Sequence, residues 1–554
     1  MHFHANQKIT IAMLVSAVTA AHSCASESLA LQQLSHVNVS GGCTPETFEP
    51  LLPPGSSVLF ARSVAANGTF AENATKSGEP AVVTGLPALC AAKFSVPTSN
   101  RSTIDVALFL PDQWNQRLMA VGNGGFGGYI NWADLAQYSH YGFAGLSTNT
   151  GHYSGAVEAS WALNMPDAIV DWGYRAVHES TVLSKKIIAA YYGFESRYNY
   201  FSSCSNGGRQ GLKELTAYPE DYDGIINGAP AWWLTHLFTW MATIQKANEA
   251  GSPGRLSEIQ LQRAGTEILS QCDAQDGVED GIINDPRGCH FVPEGMLCGG
   301  ALSLNASECF TSPQLSTLYT ILNDWVDTNQ TFIHPALDLG AGYILANPAS
   351  ALYGVEFLQN MVYNTTSYSI DDFDFGNTMR FVDSVVADTL NANFEVDQFR
   401  ARGGKLLQYH GLSDELIPSG DSIYWYSKIH QRLDPQGLSV DDWYRLFLVP
   451  GMNHCASSSS GAPWFFAAAL HQQAVEGVTY STPGFMDSKH DITLTMMDWV
   501  EKGIAPTEII ATGYKNNTVG MGVDKQRPLC PYPQKAVYDG KGDTNAATSW
   551  VCSK

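Results

Sequence analysis

The chain has 554 residues, of which 44% are hydrophobic and 11% aromatic, enough for a large buried core and more than one structural unit. Its formal net charge is -22, from 53 acidic and 31 basic residues spread without long runs of either sign. This composition argues against nucleic acid as a partner, because no basic patch would replace phosphate counterions. It also disfavours a strongly bound anionic substrate and suits neutral or weakly acidic molecules.

The N-terminus has the layout of a secretory signal. Lys8 precedes an apolar run over 9–21, and the small residues Ser23 and Ala25 follow it. We predict a cleaved signal peptide over 1–23. The remaining sequence has no apolar stretch near the roughly 20 residues that cross a bilayer. The mature protein is therefore predicted to be secreted, extracellular and without a membrane partner.

The cysteines and sequons agree with secretion. Eleven cysteines are odd in number, but Cys24 lies at the predicted cleavage boundary and leaves ten that can all pair. Proximity favours the pairs Cys272–Cys289 and Cys298–Cys309. Eight Asn-x-Ser/Thr sequons predict N-glycans. They are Asn38, Asn67, Asn73, Asn100, Asn305, Asn329, Asn364 and Asn516.

Residues 24–228 are predicted to form the first part of an α/β catalytic core. A long helix is expected over 166–192, since Pro166 suits a helix start and Ile169 and Trp172 follow helical spacing. Strands that alternate with helices indicate a mostly parallel sheet covered by helices. The expected strands lie near 82–84, 102–110, 117–121, 198–202 and 224–226.

The pattern changes over 229–395, which we predict to be an inserted lid domain. This segment concentrates tryptophans, cysteines and Gly/Pro-rich turns without regular alternation of strand and helix. Alternation resumes over 396–554, the predicted second part of the core. Its expected elements are strands near 405–409 and 445–449 and a helix over 491–502 that Gly503 and Pro506 end.

A candidate nucleophile lies in the run Ser203-Cys204-Ser205-Asn206-Gly207-Gly208. Gly207 and Gly208 let a strand turn sharply into a helix, so that the Ser205 hydroxyl projects above the sheet as in a nucleophile elbow. Ser203 stands where the usual G-x-S-x-G pattern has its first glycine. A Ser-Gly-Gly run alone is more often an ordinary loop.

A candidate base and acid follow in the chain order Ser, Asp, His that α/β-hydrolases use. Asp414 follows one predicted strand, and His454 lies in the loop after the next. Ser205 needs a base to take its proton, and an acid must fix the imidazole tautomer and stabilise the imidazolium. Glu415 and Asp421 are rival candidates for the acid.

An oxyanion hole requires N–H donors close to the nucleophile. The N–H of Asn206 is one candidate. A second would come from Gly124 or Gly125, in the glycine-rich turn 122–125 after the predicted strand 117–121. A plain tight turn is an equally good interpretation of this run.

Each of the two candidate catalytic strings carries a cysteine. Cys204 precedes Ser205, and Cys455 follows His454. If these cysteines were bonded, their Cα atoms would lie roughly 4.4–6.8 Å apart. The serine and the histidine beside them would then be held near the distance that a nucleophile and its base require.

The string Cys272-Asp273-Ala274-Gln275-Asp276-Gly277-Val278-Glu279-Asp280-Gly281-Ile282 is a second cluster of interest. Its carboxylates, bracketed by glycines, can surround a hard cation with oxygen ligands. Their spacing differs from that of an EF-hand. An acidic turn is as good an interpretation of the spacing as a metal site.

The strings 204–211 (C-S-N-G-G-R-Q-G) and His454-Cys455, with the Gly-x-x-Asp that ends at Asp414, resemble the tannase and feruloyl esterase family. The resemblance covers essentially the whole mature chain. It implies an α/β-hydrolase core with a large lid, hydrolysis of hydroxycinnamic or gallic acid esters, the triad Ser205, Asp414 and His454, and a Cys204–Cys455 disulfide.

The same resemblance implies a structural calcium site in the lid. Asp273, Asp276 and Asp280 would supply side-chain ligands, and Val278 and Ile282 would lend backbone carbonyls. Its distance in sequence from the triad indicates a structural role. No organic cofactor is expected.

The sequence therefore predicts a serine esterase that releases ferulic or related acids from plant polysaccharides through an acyl-enzyme. Tannases that it resembles can carry a dibasic processing string in the lid; its absence here favours feruloyl esterase over tannase. A catalytically dead calcium-dependent binding protein and a serine peptidase are the other hypotheses. Lid aromatics can supply a flat slot for the acyl group or simply form lid core. They are Trp232, Trp233, Phe238, Trp240, Tyr353 and Phe357.

Overall fold

The computed structural model describes residues 42–72, 82–327, 329–341, 348–475 and 480–554. The predicted signal peptide and the sequons at Asn38 and Asn73 lie outside these residues. All described residues form one compact unit. Within this part of the chain, no helix is both long and apolar enough to cross a membrane.

The order of elements alternates strands and helices in the first and last thirds of the chain. The strands are β1 (Ser57–Val64), β2 (Gly68–Ala71), β3 (Val82–Leu86), β4 (Leu89–Pro97), β5 (Thr103–Pro111), β6 (Arg117–Val121), β7 (Ala144–Thr148), β8 (Tyr198–Cys204), β9 (Gly224–Gly228), β10 (Trp325–Val326), β11 (Phe332–His334), β12 (Lys405–Gly411), β13 (Tyr444–Val449), β14 (Ile509–Tyr514), β15 (Val523–Leu529), β16 (Lys535–Tyr538) and β17 (Trp550–Ser553). The α-helices are α1 (Pro45–Phe48), α2 (Trp132–Ser139), α3 (Pro166–Val170), α4 (Ala176–Tyr192), α5 (Asn206–Ala217), α6 (Leu234–Ala247), α7 (Glu258–Cys272), α8 (Ser312–Leu322), α9 (Pro348–Phe357), α10 (Phe375–Leu390), α11 (Asp397–Ala401), α12 (Ser419–Leu433), α13 (His471–Ala474) and α14 (Ile492–Lys502).

A nine-stranded sheet organises the core, in the order β1-β4-β5-β7-β6-β8-β9-β12-β13. The six strands from β7 to β13 in this order pair in parallel, and β5, β4 and β1 extend one edge in antiparallel fashion. Apolar layers cover both faces of the sheet. The predicted α/β-hydrolase class with a mostly parallel sheet is confirmed.

The predicted helix over 166–192 is confirmed, with one irregularity. It begins with Pro166 in its first position, and Gly193 ends it in the left-handed region at φ 84°. Between α3 and α4 the helix makes a single π-helical turn, Asp171–Arg175. The carbonyls of Trp172 and Gly173 in this turn contact the element that follows the candidate nucleophile.

The segment between β9 and β12 is largely helical, although its sequence lacks clear periodicity. Helix α6 buries residues on most of its surface, including Leu237, Trp240 and Met241, because α9 and α10 pack against it. A helix that is apolar nearly all round has little contrast between its faces. Such a helix therefore gives no regular amphipathic pattern in the sequence.

Candidate active site

Ser205 occupies a sharp turn between β8 and α5. Its backbone has φ 66° and ψ -127°, a strained conformation for a residue with a side chain. The turn is held on both sides: the Ser205 N–H donates to the Gly228 carbonyl at 3.0 Å, and the Ser205 carbonyl accepts from the Ala231 N–H at 3.1 Å. The predicted elbow is therefore present in the fold, at the carboxyl end of a central strand.

Two glycines after the serine make this turn possible. A Cβ at Gly207 would lie 1.9 Å from Ser203 Oγ, and one at Gly208 would lie 2.6 Å from the Gly228 carbonyl oxygen. The Ser203 side chain thus fills space beside Gly207. This contact explains how the elbow accommodates a serine in place of its usual first glycine.

The structure brings Ser205, His454 and Asp414 into one hydrogen-bonded series. His454 Nε2 lies 2.9 Å from Ser205 Oγ, and His454 Nδ1 lies 2.8 Å from Asp414 Oδ2. The other carboxylate oxygen of Asp414 accepts the N–H groups of Leu416 and Ile417, each at 2.9 Å. The acid is therefore fixed in orientation before it meets the imidazole.

The rival acids occupy other positions. Glu415 Oε2 accepts the backbone N–H of His454 at 3.1 Å and not a ring hydrogen. Asp421 Oδ2 lies 3.2 Å from Nε2 of a different histidine, His334. Of the three candidate acids, Asp414 alone is placed to fix the tautomer of His454.

Burial and neighbouring charges shift the pKa values of Asp414 and His454 in opposite directions. Burial raises the pKa of Asp414, but the charge of His454 and hydrogen bonds from His410 and His454 outweigh it and hold that pKa below its usual range. For His454, burial lowers the pKa, while the carboxylates of Asp414 and Glu415 raise it, with a net rise. His454 is therefore a stronger base than a free imidazole, as a proton acceptor for serine requires.

The charge of Glu415 provides a first test of these electrostatics. Glu415→Gln keeps an oxygen that can accept the His454 N–H but removes a charge that raises the pKa of His454. We expect the acid limb of the kcat/KM profile to move to lower pH, because activity requires neutral His454 and is lost as pH falls through its pKa. Initial rates between about pH 4 and 8 would measure this shift. An acid limb that stays in place or moves to higher pH would contradict the inference that the Glu415 charge raises the pKa of His454.

All ten cysteines of the described chain form disulfides. Cys204 pairs with Cys455, with 5.8 Å between their Cα atoms and 251 residues of sequence separation. The local pairs 272/289 and 298/309 are present as well. The remaining bonds are Cys43–Cys90 and Cys530–Cys552. The long-range bond joins the residue before Ser205 to the residue after His454.

The glycine-rich turn after β6 lies against the N-terminus of α5, where Asn206 Nδ2 donates to the Asn123 carbonyl at 3.4 Å. The N–H of Gly124 already donates to the Tyr129 hydroxyl at 2.9 Å. Gly125 has φ 53°, and a Cβ there would lie 2.3 Å from the Ala156 carbonyl oxygen. The turn thus needs glycine at Gly125, and of the two predicted donors Gly124 has its N–H hydrogen-bonded within the turn.

A family model described as tannase and feruloyl esterase matches residues 90–553 of this sequence. The chain belongs to the tannase and feruloyl esterase family. It is 32% identical over 491 residues to a probable feruloyl esterase B-1 of Aspergillus flavus, covering 88% of this chain and 90% of that relative. The prediction of family from the sequence strings is confirmed, and the chain is an esterase.

Solved structures from Aspergillus oryzae agree with this family. An esterase is 31% identical with a TM-score of 0.83, and a feruloyl esterase B is 28% identical with a TM-score of 0.82. Each comparison covers 92% of this chain and 99% of the other. The hypothesis of a catalytically dead binding protein loses its support, since the esterase keeps a hydrogen-bonded Ser-His-Asp series.

Arg209 is a buried residue of this esterase that the sequence did not single out. Its Nε donates to Asn206 Oδ1 at 2.7 Å, and its other nitrogens donate to the carbonyls of Trp172, Gly173 and Leu390. Burial lowers the pKa of Arg209 to about 9. The guanidinium thus ties the first turn of α5 to the π-helical turn.

An aromatic cluster borders the glycine-rich turn in the esterase. Phe126 lies 4.9 Å from Phe238 and 5.4 Å from Tyr353, between ring centroids. The Tyr353 hydroxyl lies 2.9 Å from the position of a Cβ on Gly125. Of the other predicted slot residues, Trp233 is half-buried, Trp232 is buried, and Trp240 and Phe357 are wholly buried lid core.

The acidic loop presents two carboxylate oxygens without a hydrogen-bond partner, Asp273 Oδ1 and Asp276 Oδ2, both buried. Their second oxygens accept backbone N–H groups of the loop. Asp280 differs: its Oδ1 accepts the Ile282 N–H at 3.2 Å and its Oδ2 pairs with Arg527 at 2.8 Å. Two predicted ligands thus fit an oxygen-seeking cation, whereas the Asp280 carboxylate already faces a guanidinium.

Within the described part of the chain, the group of three side chains that brings possible ligand atoms within 4.8 Å of one another is His178, Glu214 and Asp221, and it does not include the acidic loop. Lys185 Nζ lies 3.6 Å from Asp221 Oδ1, so a cation is already present. Burial, followed by the charge of Asp221, raises the pKa of Glu214 and favours its protonated form. The negative charge of this group is therefore already balanced by Lys185 and by protonation of Glu214.

Proposed function

We propose that the protein is a secreted serine esterase that hydrolyses phenolic-acid esters, with feruloyl and related hydroxycinnamoyl esters ahead of galloyl esters. The observation that carries this proposal is the hydrogen-bonded series from Asp414 through His454 to Ser205. The family and the names of its relatives supply the substrate class. The natural substrates would be small phenolic esters or feruloylated plant polysaccharides.

The reaction would proceed in two acyl-transfer steps. His454 Nε2 takes the proton of Ser205 as its Oγ attacks the ester carbonyl, and the resulting oxyanion is met by the N–H groups of Asn206 and Gly125. The tetrahedral intermediate collapses, and the leaving alcohol takes the proton from His454. Water then attacks the acyl-enzyme by the same route and releases the phenolic acid. Asp414 stays ionised and stabilises the imidazolium in both steps.

The aromatic cluster of Phe126, Phe238 and Tyr353 supports an aromatic acyl group. It adjoins Gly125, the proposed oxyanion donor, so a flat ring bound there would leave its ester carbonyl close to the elbow. Edge and stacking contacts of such rings contribute about 0.5–1.5 kcal/mol beyond apolar burial. The Tyr353 hydroxyl, whose pKa burial raises to about 12, stays a neutral donor for a ring substituent.

Tannase activity is the second candidate, because the family description names both activities. A comparison of kcat/KM for methyl ferulate, methyl caffeate and methyl gallate tests the order. We expect the two cinnamates to be hydrolysed faster than the gallate. Faster turnover of the gallate would make the protein a tannase. Cleavage of a peptide amide without any cleavage of methyl ferulate would instead support the peptidase hypothesis.

Several features support secretion and glycosylation. The ten described cysteines are all paired, as an oxidising compartment favours. The asparagines of all six sequons within the described residues are exposed, at Asn67, Asn100, Asn305, Asn329, Asn364 and Asn516. Secretion from a fungal host, followed by a mass decrease on treatment with a glycosidase, would test both proposals.

We propose that Ca²⁺ binds the acidic loop through Asp273 and Asp276, with Asp280 and the carbonyls of Val278 and Ile282 nearby. The ion would neutralise the two unpartnered carboxylate oxygens and stabilise the loop. Its role would be structural. The proposed ligands include no histidine. Burial raises the pKa of Asp276 above its usual value in the absence of a cation.

Calcium removal is expected to lower the melting temperature of the wild-type protein by several degrees, since a ligand that binds only the folded state stabilises it. Differential scanning calorimetry with Ca²⁺ and with EGTA measures the difference. Asp276→Asn should abolish most of this difference. Asp285→Asn, which removes a nearby acid paired with Lys535, should retain it. Equal sensitivity to EGTA in all three proteins would contradict a site at this loop.

A further inference from the structure

A second histidine contacts the carboxylate that holds His454. His410 is fully buried near the end of β12, and its Nε2 lies 3.3 Å from Asp414 Oδ2, the oxygen that also faces His454. The same Nε2 lies 2.9 Å from the Ile417 carbonyl oxygen. Both neighbours are acceptors only, so Nε2 of His410 must carry a hydrogen.

The other ring nitrogen of His410 shows which tautomer is present. Nδ1 lies 2.7 Å from Ser422 Oγ, and that oxygen lies 2.6 Å from Nε2 of Gln408. An amide nitrogen only donates, so Ser422 Oγ accepts from Gln408 and gives its single proton to His410 Nδ1. The hydrogen of neutral His410 is then on Nε2, which faces both the Ile417 carbonyl oxygen at 2.9 Å and Asp414 Oδ2 at 3.3 Å.

The orientation of the Gln408 amide is fixed in turn by Tyr444. The Tyr444 hydroxyl donates to Gln408 Oε1 at 3.1 Å, which leaves Nε2 of the amide for Ser422. Tyr444, Gln408, Ser422 and His410 have no exposed surface. Each group in this series donates to the next group on the way to Asp414. All four side chains are shielded from water.

We propose that His410 is a positioning residue for the catalytic acid: held as a neutral Nε2–H donor by Ser422 and Gln408, it keeps the Asp414 carboxylate aligned with His454. This inference rests on the proposed function of Ser205, His454 and Asp414. Asp414 receives donors from Leu416, Ile417, His410 and His454, and only His410 among the first three contacts the oxygen used by the base. Losing that donor would leave a buried acceptor underpaired and free to reorient.

Substitution at His410 separates positioning from simple packing. His410→Leu fills the space without a donor, and we expect kcat to fall about 10- to 100-fold, the loss typical of a hydrogen bond to a charged group. KM should change little, because His410 does not contact the substrate. His410→Gln can place an amide N–H near the former Nε2 and should recover most of kcat. Equal kcat in the Leu and Gln variants would overturn the proposal.

Ser422 provides a test that leaves His410 in place. Ser422→Ala removes the proton donor to Nδ1, frees the tautomer and should lower kcat less than His410→Leu does. Ser184→Ala is the matched control, since Ser184 is equally buried and its hydroxyl has no hydrogen-bond partner within the described residues. If the Ser422 and Ser184 variants had the same kcat, the orienting series would be disproved.

Two readouts do not depend on which ester is the natural substrate. The rate at which a fluorophosphonate labels Ser205 should follow the same order as kcat among the variants. In the wild-type protein labelled with ¹⁵N-histidine, the signal absent from His410→Gln should show that Nε2 carries the hydrogen in the neutral ring. An Nδ1–H tautomer would overturn the proposal even if a variant failed to fold. Absence of both labelling and ester hydrolysis in wild type would instead overturn the proposed function.

Discussion

Ser205→Ala is expected to lower kcat for methyl ferulate by about 10⁵- to 10⁶-fold, the loss seen when the nucleophile of a serine hydrolase is removed. The reason is that the His454–Asp414 pair would be left with no hydroxyl to activate. KM should stay close to the wild-type value, because the aromatic cluster that is proposed to bind the acyl ring is untouched. Single-turnover measurements would also show no burst of released alcohol.

The neighbouring serine provides a control for this substitution. Ser203 lies on β8, the strand that leads into the elbow, and is more buried than Ser205; Ser203→Ala removes a hydroxyl of the same size two residues away. This variant should retain most of the activity. If Ser205→Ala kept more than about one per cent of wild-type kcat while folding normally, a mechanism through a Ser205 acyl-enzyme would be excluded.

Removing the disulfide beside the active site is expected to reduce both stability and activity. Cys204→Ala with Cys455→Ala opens a loop of 251 residues, for which the chain-entropy relation gives a loss on the order of 5 kcal/mol in the free energy of unfolding. Because each cysteine adjoins a catalytic residue, the distance between Ser205 and His454 should also become less well defined. We therefore expect kcat to fall under conditions where the protein is still folded, measured by near-ultraviolet circular dichroism alongside initial rates.

The lid disulfide offers a matched control for this double variant. Cys298→Ala with Cys309→Ala opens a loop of only 11 residues within the lid. The same relation gives a loss of about 3 kcal/mol. This protein should be less stable but should keep its kcat at temperatures where it is folded. Full kcat in the Cys204 and Cys455 double variant would show that the disulfide is not needed to hold the catalytic geometry.

Much of the core was predictable because its elements are specified locally. The strand over 117–121 and the helix over 166–192 occur as expected, since a buried apolar run and a proline at the helix start are short-range signals. The antiparallel strands β1 and β4 were not predicted. Their pairing is recognised only when distant segments come together, and β1 alternates between exposed and half-buried positions.

The catalytic residues were also predictable only in part from the sequence. The sequence by itself placed a cysteine beside Ser205 and another beside His454, and it gave the order Ser, Asp, His, because these relations are matters of adjacency along the chain. The residues alone left Asp414 and Glu415 open, the family resemblance implied Asp414, and the tertiary structure places the Asp414 carboxylate against the imidazole. The two acids are neighbours in sequence, and which one meets the imidazole depends on the side-chain directions at the end of β12.

The supporting residues of the site were decided by the tertiary structure alone. Arg209 and His410 contact proposed catalytic groups only three and four residues away, Asn206 and Asp414. Their own positions are fixed by partners from other segments, and a buried polar residue has no sequence pattern that names such partners. The sequence thus determined the family, the fold class and the candidate reacting side chains. The three-dimensional packing brought those side chains together and set the hydrogen bonds between them, because hydrogen bonds depend on distances of a few tenths of an ångström.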